Sequence, residues 1–196
     1  MDSLPLDIAP LLQHVRTTLH TTFDQVDGWF DEAEGVLHFQ PAQGWSIAQV
    51  LEHIGLTNHF LLILIDKAAE KARKNVNQLN LQVELQNIKF DLAGLEQVGT
   101  HGAFAWIRPE HMEPSGQADL ATVRRTLHSQ LQRCLTHLDQ LPGGEGLLYT
   151  TTMTVNGLGR LNVYEYLYFL AMHARRHLFQ LETILKPHQS NTTSLP

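Results

Sequence analysis

The stretch from Asn162 to Lys186, NVYEYLYFLAMHARRHLFQLETILK, constrains the fold more than any other part of the chain. It holds no glycine or proline, opens on Asn162 with Glu165 three residues later as a capping-box pair, and meets Pro187 at its far end. The spacing predicts one long helix. At about 100° per residue, Tyr166, Phe169, Leu170, His173, His177, Gln180 and Ile184 share a face, with Arg175 and Glu182 roughly opposite. An apolar stripe of this length has to be covered by other helices. It also carries two imidazoles one turn apart, a spacing that lets both reach one metal ion but leaves that ion short of ligands. A third ligand has to come from elsewhere in the chain.

Three further segments repeat with helical period. Leu6 to about Val26 places Leu11, Leu12, Val15, Leu19, Phe23 and Val26 on one side, and His14 and His20 read as polar-face residues. Trp45 and Ser46 open WSIAQVLEHIGLTNHFLLILIDKAAEKARK, where Ser46 and Gln49 form a second capping box. Ile47, Val50, Leu51, Ile54, Leu61, Ile65 and Ala68 make the core face of that helix. His53 falls on its flank beside Thr57, Phe60 and Leu64, and is the best candidate for the third ligand. His59 lies about 240° further round the helix and should face solvent. The segment from about Asp119 to Leu141 carries a leucine stripe ended by Pro142 and Gly143; Cys134 beside it reads as a buried, unreactive thiol. These segments predict an all-α four-helix bundle, with helices near residues 5–26, 46–74, 119–141 and 162–186.

Between them, Gly28, Gly35, Pro41 and Gly44 predict a loop over 27–45. A long connector is expected between helices two and three, over 87–118. Its Phe104, Trp106 and Ile107 suggest packing across the bundle or over a pocket mouth, while His101 and His111 are left out of the candidate site. YTTTMTV followed by Asn156-Gly157 predicts a short extended excursion before the last helix. Tyr166 and Tyr168 read as packing residues with wet hydroxyls. Residues 1–186 are expected to form a single domain, with a disordered polar tail over 187–196.

Composition narrows the function classes. A formal charge of -6 with no block of basic residues argues against nucleic acid. The most apolar window, Phe60 to Ile65, falls far short of the ~20 residues that span a bilayer, so no membrane segment is expected. A lone cysteine, and an N-terminus with an acid and a proline where a signal peptide is basic then apolar, predict a cytoplasmic protein.

The segments WSIAQVLEHI, NGLGRLNVYEYL and FLAMHARRHLFQLETI, in this order and at this separation, resemble the DinB-like (DinB/YfiT) metal-binding bundles. The resemblance implies a three-histidine site made by His53, His173 and His177 that holds one divalent transition metal, zinc or nickel. Gln180 matches the family's pattern and is a candidate to support a ligand, and Gly159 matches a glycine before the fourth helix. The resemblance further implies a small-molecule substrate, with a low-molecular-weight thiol as a reactant in some relatives, and homodimers. Three imidazoles leave a coordination position open, so a thiol-dependent transferase or a hydrolase is expected. The competing readings are a non-catalytic metal-stabilised binding module and, for the histidines themselves, core residues bonded to a tyrosine or a carbonyl. Leu56 and Ile63, opposite the core face of helix two, point independently to a homodimer.

Overall fold

The computed structural model describes residues 7–87, 92–104 and 109–192. In chain order its elements are α1 (Ala9–Gly28), α2 (Glu34–Leu37), α3 (Ile47–Asn75), α4 (Leu81–Asn87), α5 (Leu92–Val98), α6 (Leu120–Gln140), β1 (Thr150–Met153), β2 (Gly159–Asn162) and α7 (Val163–Thr192). The four helices expected from periodicity are α1, α3, α6 and α7. Helix α1 packs against α7 and α6, and α3 packs against the same two.

Both capping boxes form. The Ser46 hydroxyl accepts from Gln49 N–H at 3.2 Å, and the Gln49 side chain accepts from Ser46 N–H at 3.0 Å. At α7, Asn162 Oδ1 accepts from Glu165 N–H at 3.1 Å while the Glu165 carboxylate accepts from Asn162 N–H at 2.8 Å. Each box satisfies two backbone donors that a helix start leaves without an intrahelical partner. Together they fix where the two histidine-bearing helices begin.

Helix α7 is the centre of the packing. Every residue from Leu161 to Ala174 is buried, so its first turns are enclosed on all sides, by α1, α3, α5 and β2. Removing a large apolar side chain such as Phe169 or Leu170 from water contributes about 1.5–3 kcal/mol, so α7 is a large contributor to the core. One window of α3 is also long and apolar enough to cross a membrane, but 61% of it is buried inside the protein, as in a core helix. Around the rim, Arg124 on α6 grips both carboxylate oxygens of Asp27 at the end of α1, at 2.7 and 2.6 Å.

The structure departs from the sequence reading in four places. The loop over 27–45 contains the one-turn helix α2, and α1 continues through Gly28, because a helix end at the surface tolerates glycine's modest penalty. The connector contains α5, whose Leu95 and Val98 are buried against α7; two helical turns are too short for periodicity to reveal. Trp106 and Ile107 lie outside the described residues. The Tyr166 hydroxyl is not wet, since it donates to the Thr152 carbonyl at 3.0 Å and ties α7 to β1, and Tyr168 is likewise buried. Finally α7 runs past Pro187 to Thr192, so the proline does not end the helix as its position suggested. Residues 193–196 lie outside the described residues.

The expected extended excursion is a two-stranded antiparallel hairpin in which Thr150 pairs with Asn162 and Met153 with Gly159. It turns at Gly157 and Gly159, with φ of 66° and 74°. The hairpin delivers the chain to Asn162 and sets β1 beside the histidine face of α7.

Candidate metal centre

His53, His173 and His177 meet between α3 and α7. One ring nitrogen of each lies within 4.8 Å of those of the other two, and all three side chains are at least nine-tenths buried. His53 reaches the group from the second turn of α3, and the rings of His173 and His177 sit 4.9–5.3 Å from its own. Among the described residues this is the one histidine, cysteine or carboxylate cluster with metal-ligand geometry.

Hydrogen bonds set the tautomers. His53 Nδ1 donates to the Met112 carbonyl at 2.7 Å, which leaves its Nε2 lone pair directed away from the connector. His177 Nδ1 donates to Gln180 Oε1 at 2.9 Å, which again makes Nε2 the lone-pair nitrogen. His177 Nε2 in turn faces His173 Nε2 at 3.2 Å. The carbonyl-bonded core histidine and the metal ligand, opposed as sequence readings, are therefore compatible at His53: a bond from Nδ1 to a carbonyl is what orients a ligating imidazole.

Burial also keeps these rings neutral. His173 is held well below the ordinary histidine value, first by desolvation and then by His177, His53 and Arg176. His177 is lowered to about 3, again chiefly by desolvation, with His53 adding to the effect and the bond to Gln180 opposing it. Both rings thus offer lone pairs at neutral pH. Two imidazole nitrogens on one tetrahedral ion, each at about 2.0–2.1 Å, stand roughly 3.4 Å apart, close to the separation of the His173 and His177 Nε2 atoms. The donor set fits a divalent transition-metal ion.

The three histidines line a cavity of about 500 Å³, within the ordinary range for a small-molecule site. Leu61, Met112, Met153, Val155 and Phe169 give it apolar walls, and Thr57, Thr152, Arg176 and Gln180 add polar groups. Trp45 packs on His53 with ring centroids 4.8 Å apart. The connector closes one side through Pro109 and Met112, and is pinned there by Glu52, whose carboxylate accepts from Ser115 N–H and Gly116 N–H at 2.9 Å each.

Of the remaining histidines, His59 is exposed as expected, and His111 packs on Phe60 without joining the cluster. His101 lines the cavity, its ring tilted against Phe179 with centroids 4.5 Å apart, without joining the histidine cluster. Cys134 is buried, and desolvation pushes its thiol up to about 12, so it is inert at neutral pH. Sequence reasoning missed Arg176, although it stands one turn after His173, and it missed the Met112 carbonyl and the β1 wall, which no local pattern announces.

Compared with known proteins, the chain matches no curated protein and no solved structure. A family model described as the DinB superfamily matches residues 11–181, a span from α1 into α7 that includes all three clustered histidines. The chain belongs to the DinB superfamily.

Proposed function

We propose that His53, His173 and His177 hold one divalent transition-metal ion, zinc or nickel, and that the protein is a metal-dependent transferase joining a low-molecular-weight thiol to a small molecule in the adjoining cavity. One observation carries this reading: the Nδ1 atoms of His53 and His177 are engaged by protein acceptors, so the Nε2 lone pairs of both remain for a ligand at a buried point beside a ligand-sized cavity. A bound ion there supplies Lewis acidity, enough to keep a thiol as thiolate or to polarise a substrate oxygen. The protein's part is positional. Gln180 and the Met112 carbonyl hold the rings of His177 and His53, burial keeps His173 and His177 unprotonated, and Trp45 and the connector wall the cavity.

Hydrolysis is the alternative chemistry for the same site. Thiol transfer is favoured because no Asp or Glu is among the described residues lining the cavity, so a carboxylate general base for activating water is missing from that set. A thiol stored as thiolate needs no such base. The reading takes α1, α3, α6 and α7 as one four-helix bundle domain, and a thiol chemistry beside a single cysteine suits the reducing cytoplasm.

Elemental analysis of protein purified without a nickel column tests the ion first, with about one equivalent expected. His173→Ala and His177→Ala should each abolish tight binding, while His59→Ala leaves stoichiometry unchanged. An ion bound only by the folded state at about 100 times its Kd stabilises it by about 2.7 kcal/mol, so chelation should lower the wild-type melting temperature and scarcely move that of the His173 variant. Equal shifts refute the assignment. A panel of thiols with electrophilic and ester substrates then tests turnover; full occupancy with no turnover would instead favour a binding module in which the ion ties α3 to α7.

A further inference from the structure

The cavity is polarised in a way the metal does not require. The chain as a whole is acidic, with 20 carboxylates against 14 lysines and arginines, yet the described residues of the cavity wall include Arg176 and no carboxylate. Arg176 is held at the wall by donating Nη1–H to the Thr100 carbonyl at 3.3 Å. Gln180 spends its side-chain oxygen on His177, so its amide N–H2 is the polar group it has left to offer. Hydrogen-bond donors therefore gather beside the histidines, while Leu61, Met112, Met153, Val155 and Phe169 form an apolar remainder.

We propose that the cavity takes an amphipathic monocarboxylate, its carboxylate on the Arg176 guanidinium and its apolar body against Met112, Met153, Val155 and Phe169. That the reacting atom of such a molecule faces the histidines rests on the function proposed above; recognition of the carboxylate does not. A planar guanidinium offers paired N–H donors that match the two oxygens of a carboxylate, a match that neither an alcohol nor an amine reproduces. The apolar walls supply affinity that grows with chain length, and the arginine supplies the selection between headgroups.

Calorimetric titration of the purified protein with octanoate, octanol and octylamine, each with zinc bound and after chelation, tests the assignment. Octanoate should bind about tenfold or more tighter than octanol, with octylamine weakest, the size expected for a hydrogen bond to a charged group. Arg176→Gln should erase the preference of octanoate over octanol, leave octanol binding unchanged and leave zinc stoichiometry intact. Arg176→Lys should restore part of it, since charge survives without the paired donors, and it carries the same comparison if Arg176→Gln does not fold. Equal binding of octanoate and octanol, no binding of either, or an Arg176→Gln protein that keeps the preference would each overturn the proposal. An arginine-dependent octanoate preference in a protein that binds no zinc would sink the metal reading while this one stands. Stoichiometric zinc with no headgroup preference would do the reverse.

Discussion

Gln180→Leu removes the acceptor for His177 Nδ1–H while keeping a side chain of similar bulk on the same turn of α7. Gln180 Oε1 stands 2.9 Å from that nitrogen, and His177 is only 7% exposed, so water cannot readily replace the lost bond. A neutral hydrogen bond contributes only about 0.5–1.5 kcal/mol to stability, but here it also fixes which nitrogen keeps its lone pair. Without it the ring is free to move its proton to Nε2, which removes a ligand from the ion. The loss of such a supporting partner typically weakens metal binding about 10- to 100-fold, or about 1.4–2.7 kcal/mol. Gln180→Glu restores an acceptor with added charge and should bind at least as tightly as wild type. Competition for zinc against a chromophoric chelator at neutral pH measures all three affinities, and long-range proton–nitrogen NMR of the imidazoles reports the tautomer. Gln180 is half-buried, so the metal-free leucine variant should keep its fold. A leucine variant whose zinc affinity stays within about twofold of wild type would refute the argument that this hydrogen bond sets the ligand.

Between about pH 3 and 6.5 the unfolded chain takes up protons that folded His173 and His177 refuse, so metal-free protein should lose stability as pH falls through that window. The slope is at most about 1.4 kcal/mol per pH unit for each histidine, and melts of chelated protein at pH 7 and 5 should show a drop that His177→Gln reduces; identical wild-type melts at the two values would count against it. Gly146→Ala should destabilise by about 1–3 kcal/mol, because a Cβ there would stand 2.6 Å from Cζ of the fully buried Tyr164 ring, whose hydroxyl bonds the Leu141 carbonyl. An unchanged denaturation midpoint would show that the ring can yield. Ile63, 36% exposed on α3, is the expected centre of a homodimer contact, and Ile63→Glu should convert a dimer to monomer; a wild-type sedimentation mass of 22.2 kDa at micromolar concentration would exclude the dimer.

The parts of the fold written in local pattern were legible. Ser46 with Gln49 and Asn162 with Glu165 announced two helix starts, and the leucine stripe of α6 announced a third helix to within a residue or two of its ends. With the starts and the 3.6 period known, the faces of His53, His173 and His177 followed, although their convergence depends on α3 lying beside α7, which periodicity alone does not state. What stayed hidden depends on contacts distant in sequence. The Met112 carbonyl lies 59 residues from His53, and the Thr152 carbonyl meets Tyr166 only because the hairpin folds back along α7. Short helices such as α5 are stabilised by the α7 surface they cover and carry almost no signal of their own.

The connector bears on the choice between a catalyst and a metal-stapled module. Consecutive residues of α3 hold it: His53 through the Met112 carbonyl, and Glu52 through the backbone at Ser115 and Gly116. Gly116 makes the approach possible, with φ of 69° and its Cβ position only 3.0 Å from the Gln49 side chain. One nitrogen of His53 thus anchors the wall of the cavity while its ring joins the cluster with His173 and His177, so the histidine cluster and the enclosure are parts of one arrangement. A staple between two helices requires only the three imidazoles, and closes most tightly when no space is left beside them. Here the chain keeps about 500 Å³ open next to the histidines, lines it with an arginine, and holds a long connector across it by hydrogen bonds. Space of that size left beside the donors, in an interior otherwise packed around α7, favours a site that admits a ligand over one that only ties helices together.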